Sequence, residues 1–339
     1  MRHGVAVCIA IVALSGVGQG HAQSVPYVPL TDVLPPLYQD APAEDRAARC
    51  GADGVRCVQF VEAQLAEWER FFGCDHRAVF PTVYRLLTRE ARRQLETDPG
   101  FFDDPAGFGF EALAFYELYE QMITDHLAGR AIPPAWETAM AAAQEGDWLG
   151  LHDMLLAINA HVQRDMPFAL AVVGLQLPDG GSRKADHDRF NRTLNTAYTP
   201  IVNEIQRRYD PFLQDLLGEG LLVDNLAAQQ LVALWREGVW RNAERLVRHA
   251  GSGLAPLTAD SIEWQAELTA EVLATGAIPG RRALRRAHCE RVLAEDRAAG
   301  GGGAATDGAA TSAGSGALAP WWALAAMLGL WGRRRRLRV

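Results

Sequence analysis

The sequence has 339 residues, of which 33 are Lys or Arg and 41 are Asp or Glu, so its formal net charge at pH 7 is −8. Five of the last seven residues are Arg, which means that the rest of the chain is more acidic than the total suggests. An acidic protein offers no electrostatic match to a phosphate backbone, and nucleic acid is therefore excluded as a partner.

Residues 1–22 have the layout of a secretory signal peptide. A basic start at Arg2 precedes an apolar run over 5–14, and small residues lead up to Ala22. This order, with an apolar run too short to span a membrane comfortably, is typical of a segment that is removed during export. We predict cleavage after Ala22, so that Gln23 begins the mature chain.

The exported body is predicted to fold into one all-α globular domain. Residues 23–56 hold five prolines, and we expect this segment to be extended over the surface. Over 57–299 apolar residues recur at helical spacing, and no strand-type alternation is found. The predicted helices cover 58–72, 79–97, 109–128, 134–145, 148–164, 166–177, 187–209, 223–249, 259–275 and 280–298.

Four cysteines remain once the signal peptide with Cys8 is removed: Cys50, Cys57, Cys74 and Cys289. An even number of cysteines in an exported chain indicates disulfides, and three pairings are possible. We favour Cys50 with Cys57, which closes the loop CGADGVRC, and Cys74 with Cys289. None of the four has the close spacing of a zinc knuckle, so a zinc site built from them is disfavoured.

Two polar residues lie on the apolar face of the predicted helix 148–164. His161 and Asp165 are four residues apart and fall within the apolar arc, whereas His152 points to the side. Buried polar groups must be hydrogen-bonded, paired or metal-bound, because leaving them unsatisfied costs a few kcal/mol. The arc itself is formed by Leu151, Met154, Leu155, Ile158 and Val162.

Two more histidines share this placement on other helices. His126 lies in the apolar arc of helix 109–128, and His187 lies beside apolar residues of helix 187–209. Helical bundles assemble metal sites from inward-facing side chains of this kind. A metal centre, with zinc as its ion, is therefore predicted from His126, His161, Asp165 and His187.

A purely structural explanation of the same residues stays open. Asp165 directly precedes Met166-Pro167, which is the position of an N-cap residue for the next helix. His161 could then orient that cap without any ligand. The remaining histidines His76, His249 and His288 have charged neighbours in the sequence and are predicted to lie on the surface.

The segment 159–167, NAHVQRDMP, resembles the hallmark of an uncharacterised bacterial family, domain of unknown function DUF5995. Members carry Asn-Ala-His followed by Asp, a hydrophobic residue and Pro. Three neighbouring strings fit as well: PAW at 134–136, Asp188 with Phe190-Asn191, and VWRNAE at 239–244. The likeness spans roughly residues 57–250 and implies a helical domain with no established activity.

The C-terminal end has three parts. Residues 300–316 are almost entirely Gly, Ala, Ser and Thr, a composition that cannot bury a core and is predicted to form a flexible linker. Residues 317–332 are apolar with Trp near both ends, and residues 333–339 are basic, an order that indicates a short membrane helix with a cytoplasmic end.

This tail resembles the Gly-Gly type sorting signals of Gram-negative exported proteins, which are cut by rhomboid-like proteases. The resemblance covers about the last forty residues, and the Gly run at 300–303 lies well upstream of the apolar helix. It implies a sorting protease and the membrane as partners. The predicted location is the periplasm or the surface of a Gram-negative-type envelope, with at least transient anchoring.

Two functions are compatible with these features. The sequence favours a non-catalytic binding or structural domain, because no nucleophile, base and oxyanion donor can be seen to converge. The alternative is a zinc-dependent hydrolase of phosphoesters or esters, in which the predicted metal centre lowers the pKa of a bound water toward neutrality.

Overall fold

A computed structural model describes residues 46–211, 225–275 and 282–298 of the chain. The described residues are helical and contain no β-strand, apart from one isolated bridge between Gln176 and Ser182. They form a single all-α globular domain, as the sequence predicts. The predicted signal peptide, the predicted linker and the apolar tail lie outside the described residues.

The helices follow one another as α1 (Arg46–Cys50), α2 (Val55–Phe72), α3 (Val79–Thr97), α4 (Pro105–Leu127), α5 (Pro134–Glu145), α6 (Gly150–Ile158), α7 (Met166–Val173), α8 (Lys184–Arg208), α9 (Asn225–His249), α10 (Ala255–Ala274) and α11 (Arg282–Ala298). A 3-10 turn, His76–Ala78, precedes α3, and a π-helical segment, Asn159–Asp165, joins α6 to α7. Each predicted helix has a counterpart whose ends are shifted by at most a few residues. Helix α1 differs, because it lies in a segment predicted to be extended.

The helix ends follow from local chemistry. Helix α4 starts with Pro105 in its first turn, and the side chain of Asp104 accepts a hydrogen bond from the main-chain nitrogen of Gly107 at 2.8 Å. Helix α5 also starts at a proline and ends at Gly146, whose φ of 63° is left-handed. Proline loses nothing at a first turn, and glycine adopts the left-handed conformation without strain, so both ends are encoded locally.

One main core joins most of the helices. Its largest fully buried side chains include Trp136 on α5, Trp240 on α9 and Tyr116 on α4. A smaller cluster around Phe102 and Phe108 fills the space between α2, α3 and α4. The main core surrounds the π-helical segment, which therefore lies in the interior of the domain.

The terminal helix α11 is held to the domain by charge as well as by a disulfide. Arg285 is 2% exposed and forms an ion pair with Asp210 at 3.2 Å. Its guanidinium also donates to the main-chain oxygens of Gly146 and Trp148. Because a buried guanidinium needs acceptors on all sides, these contacts fix the position of α11 against the ends of α5 and α8.

The two disulfides predicted from the sequence are confirmed. Cys50 is bonded to Cys57, and Cys74 is bonded to Cys289. Disulfides persist in oxidising compartments, so this pairing indicates an exported environment. No helix in the part of the chain that the structure describes is long and apolar enough to cross a membrane.

The two disulfides should differ in what they contribute to stability. The Cys74–Cys289 bond closes a loop with a sequence separation of 215 residues, against 7 for Cys50–Cys57. Since a longer closed loop removes more entropy from the unfolded chain, we expect the Cys74→Ala/Cys289→Ala variant to lose about 5 kcal/mol of unfolding free energy and the Cys50→Ala/Cys57→Ala variant about 2 kcal/mol. Urea denaturation of both double variants tests the order, which a greater loss from the shorter loop would contradict.

Candidate functional site

The candidate site is built on the π-helical segment Asn159–Asp165. In this segment the main-chain nitrogen of Met166 donates to the oxygen of His161, five residues back, instead of four. The extra residue in the turn changes which side chains face the interior. Single π turns inside α-helices are rare, and those that occur are often found at functional sites. The segment is therefore a candidate for a functional site.

Polar side chains tie the π segment to helix α10. The amide of Asn159 donates to the main-chain oxygen of Ala266 at 2.9 Å and accepts from Gln163 at 2.6 Å. Gln265 in turn donates to Gln163 at 3.3 Å. Asn159 is fully buried, so these bonds satisfy groups that would otherwise destabilise the core. The first residue of the family-like string thus serves to hold the turn in place.

Asp165 is a fully buried carboxylate with three side-chain donors. It accepts from the indole Nε1 of Trp136 at 2.8 Å, from Nδ1 of His161 at 2.9 Å and from the guanidinium of Arg164 at 2.8 Å. Its backbone is helical, and its side chain makes no capping bond to α7. The N-cap hypothesis was therefore wrong, because the π turn carries the helix through this position without a break.

His161 is held between aromatic rings. Its imidazole stacks on Phe115 with ring centroids 3.4 Å apart, and Phe80 and Tyr84 lie at 5.3 and 5.0 Å. The residue is 2% exposed, and its Nε2 has no hydrogen-bond partner. Burial lowers the pKa of His161, and the bond to Asp165 opposes this only in part. The ring is thus neutral at physiological pH.

An apolar cavity of about 400 Å³ lies beside this ring. Helices α3, α4, α6, α8 and α9 and the π segment form most of its walls, with Val58 of α2 and Met166 of α7, and His161 is part of the lining. Leu231, which is 40% exposed, also borders the cavity, so the cavity reaches the surface near α9. The other lining residues include Leu87, Phe115, Leu155, Leu194 and Trp235.

Several other polar groups of the lining have partners in the protein. Glu111 accepts from Arg183 at 3.0 Å, and Arg236 donates to Asn191 at 2.9 Å. The hydroxyl of Thr88 donates to the main-chain oxygen of Tyr84 at 2.8 Å. Two buried atoms of lining residues differ from these, since neither Nε2 of His161 nor the hydroxyl of Tyr84 has a partner.

The other two histidines of the predicted metal centre have different surroundings. Nε2 of His187 lies 3.0 Å from the main-chain oxygen of Arg236, and its Nδ1 is buried without a partner. Burial and then the Arg236 guanidinium hold the pKa of His187 well below its ordinary value. His126 is half-exposed at the end of α4, where burial lowers its pKa and the charges of Arg77 and Asp75 also act on it.

Of the predicted ligands, His161 and Asp165 are joined by a hydrogen bond. Across the described ranges, no three His, Cys, Asp or Glu side chains are grouped so that they could hold a metal ion. The bond to Asp165 occupies Nδ1 of His161, which leaves Nε2 as the nitrogen that could bind a ligand. The four-residue zinc centre stays a prediction.

The prediction that His76 lies on the surface was wrong. It is 9% exposed, and its Nδ1 lies 2.6 Å from the carboxylate of Asp153. Its sequence neighbours Asp75 and Arg77 are partly exposed, so the charged context was correct but did not extend to His76 itself. The partner lies 77 residues away in the chain, and no local pattern reveals it.

Sequence reasoning also missed two residues of the site, Tyr84 and Arg164. Arg164 stands next to Asp165 inside the family-like string, and its charge could have drawn attention to it. Tyr84 carries no such signal, because a tyrosine on the inner face of α3 looks like any other core residue. Its proximity to His161 arises from helix packing.

The family model described as "Family of unknown function (DUF5995)" matches residues 58–276. This range includes the π segment, Asp165 and every residue that lines the cavity. Neither the curated proteins nor the solved structures include a significant match to this chain.

Removal of the Asp165 carboxylate should be far more damaging than removal of the imidazole. Asp165→Ala leaves a buried indole and a buried imidazole without their acceptor and removes one of the two carboxylate partners of the partly exposed Arg164, and we expect it to lower the unfolding free energy by about 3 kcal/mol. His161→Phe keeps an aromatic ring among the neighbouring aromatic side chains and should lower the unfolding free energy by about 1 kcal/mol. In urea denaturation the exposed Asp260 provides the control, since Asp260→Ala should change little. Similar losses for all three variants would contradict the assignment.

The neutral His161 should also make stability depend on pH. Because burial lowers its folded-state pKa, the unfolded chain takes up a proton as pH falls below about 6.5 while the folded protein does not, and stability declines. His161→Phe should reduce this slope by up to about 1.4 kcal/mol per pH unit between pH 6.5 and 5. Urea denaturation at several pH values measures the slope. Met154→Leu, a change in the cavity wall without a titrating group, should leave it unchanged, and an unaltered slope in His161→Phe would refute the expectation.

Proposed function

The chain belongs to the DUF5995 family, whose description assigns no activity, and from that premise we propose that its helical domain binds a small, largely apolar molecule in the cavity beside His161. The single observation that carries this proposal is the apolar cavity with a buried imidazole in its wall. Ligand sites in proteins are concave, mostly apolar and provided with a few well-placed polar groups, and about 300–1,000 Å³ is their usual size.

The packing of the domain supports a functional reason for the cavity. Protein interiors are close-packed, and a void of this kind destabilises the fold through lost contacts. Here the void is bordered by seven helices and by the π segment, although neighbouring layers of the same core are filled by large side chains such as Trp136 and Trp240. A bound apolar molecule would restore the missing contacts.

The orientation of His161 also supports binding. A residue that served only to fill the core would not need a buried carboxylate, an indole and a guanidinium to fix its ring. The bond from Nδ1 to Asp165 holds the imidazole in one tautomer, which is the usual way in which proteins prepare a histidine for a contact at its other nitrogen. The zinc hydrolase is the less favoured alternative, since His161 and Asp165 are bonded to each other.

We also propose a cellular location for the protein. The two disulfides fit an oxidising compartment, and the predicted signal peptide and apolar tail fit an exported domain that is anchored at the envelope. In this arrangement the domain would take up its ligand outside the cytoplasm. The membrane and a sorting protease would be its partners through the tail.

Binding can be tested with N-phenyl-1-naphthylamine, a neutral apolar dye whose fluorescence rises on burial. We expect the full chain to bind the dye and Leu155→Trp to bind it at least about tenfold more weakly, because the larger side chain fills the cavity. Leu155 is half-buried in the wall, so the wider ring can be accommodated there.

Dye that binds to the apolar ends of the chain contributes equally to the signals of the wild type and Leu155→Trp, since both proteins carry these ends. The difference between the two proteins therefore reports binding in the cavity. Leu257→Trp, at an exposed position of α10 away from the cavity wall, is the matched control and should bind like the wild type. Equal affinity of the wild type and Leu155→Trp would refute the proposal.

A further inference from the structure

Two unpartnered polar atoms belong to neighbouring residues of the cavity wall. Nε2 of His161 and the hydroxyl of Tyr84 are both buried without a hydrogen-bond partner, and the centroids of the two rings are 5.0 Å apart. Both residues line the cavity. A buried polar group without a partner destabilises a protein by about 1–3 kcal/mol, so two of them at one place indicate a polar group that belongs between them.

The hydrogen bond to Asp165 determines what Nε2 can do. A carboxylate accepts but does not donate, so Nδ1 of His161 carries the ring hydrogen of the pair. In a neutral imidazole the other nitrogen then holds a lone pair and acts as an acceptor. The partner of Nε2 must therefore supply a hydrogen.

The hydroxyl of Tyr84 has the complementary capacity. Burial raises the pKa of Tyr84 well above its ordinary value, so the phenol keeps its hydrogen and can donate it. A group that donates to His161 and accepts from Tyr84 would satisfy both atoms at once. A hydroxyl does both with one oxygen, whereas an indole or amide N–H donates without accepting.

Charge excludes the other common end groups. A carboxylate or phosphate has no hydrogen to offer to Nε2, and an ammonium group would have to lose its hydration beside the Arg164 guanidinium, which is 2.8 Å from Asp165. The walls of the cavity are almost entirely apolar, and the polar pairs Glu111–Arg183 and Asn191–Arg236 already satisfy one another.

We therefore propose that the ligand of this cavity is an apolar alcohol, whose hydroxyl donates to Nε2 of His161 and accepts from Tyr84 while its hydrocarbon body fills the cavity. This inference rests on the proposed binding function. It adds the chemical class of the ligand and gives both residues the role of specificity determinants.

The test uses two isomers that differ only in their ability to donate a hydrogen bond. 1-Decanol and methyl nonyl ether contain the same atoms, and both accept hydrogen bonds, but the alcohol alone donates one. Displacement of N-phenyl-1-naphthylamine from the full chain gives a dissociation constant for each. The ratio of the ether constant to the alcohol constant cancels any loss of folded protein, and we expect it to fall about tenfold from the wild type to His161→Phe.

Two tyrosine variants complete the design. Tyr84→Phe should raise the dissociation constants of the alcohol and the ether alike by about threefold, because both oxygens accept from the Tyr84 hydroxyl, and it should leave their ratio unchanged. Tyr119 also has a buried hydroxyl without a partner and packs 6.1 Å from His161, but it lies outside the cavity wall. Tyr119→Phe should therefore keep both wild-type dissociation constants, and circular dichroism confirms that each variant is folded.

The outcomes separate the two proposals. A ratio that stays at the wild-type value in His161→Phe, or an alcohol constant that Tyr84→Phe leaves unchanged, would overturn the alcohol; if Leu155→Trp still weakens dye binding, the binding function stays intact. If His161→Phe does not fold, the wild-type ratio decides, since an ether that binds as tightly as the alcohol would overturn the proposal. Dye binding that does not respond to Leu155→Trp would overturn both.

Discussion

The buried carboxylate of Asp165 is the group on which the arrangement of the site depends. A charge at the centre of an apolar core destabilises the fold by several kcal/mol unless every oxygen is satisfied, and here three donors from two parts of the chain meet it. Trp136 brings α5 to the site, while His161 and Arg164 come from the π segment. The same contacts therefore fix the packing of α5, the shape of the π turn and the direction of the imidazole.

From this constraint the properties of the cavity follow. Asp165 holds the hydrogen of His161 at Nδ1, and stacking on Phe115 fixes the plane of the ring. The free nitrogen is then a neutral acceptor in apolar surroundings, with the phenol of Tyr84 close by. The arrangement provides an unpaired polar contact point in a cavity whose walls are almost entirely apolar, which is the design expected for recognition of an apolar molecule with a single polar group.

Much of the fold could be predicted because its signals are local. The apolar spacing gives the helices, and residues such as Pro105, Pro134 and Gly146 give their ends, since proline and glycine act on the backbone at their own positions. The loop CGADGVRC favoured one disulfide, and the second followed from the cysteines that remained. The candidate site was reached in part, because His161 and Asp165 share one helical face, whereas Tyr84 and the buried His76–Asp153 pair depend on partners far away in the chain.

The sequence by itself determined an all-helical domain and an inward-facing His161 and Asp165, because each of these follows from spacing along the chain. It favoured one of three possible disulfide pairings, and the structure decided in favour of that pairing. The tertiary structure decided the rest. Which atoms stay unpaired, how the ring of His187 is held and whether a cavity remains between the helices depend on how separate helices pack. Packing is set by the joint shapes of many side chains, and spacing along one helix contains no information about the distance to the next.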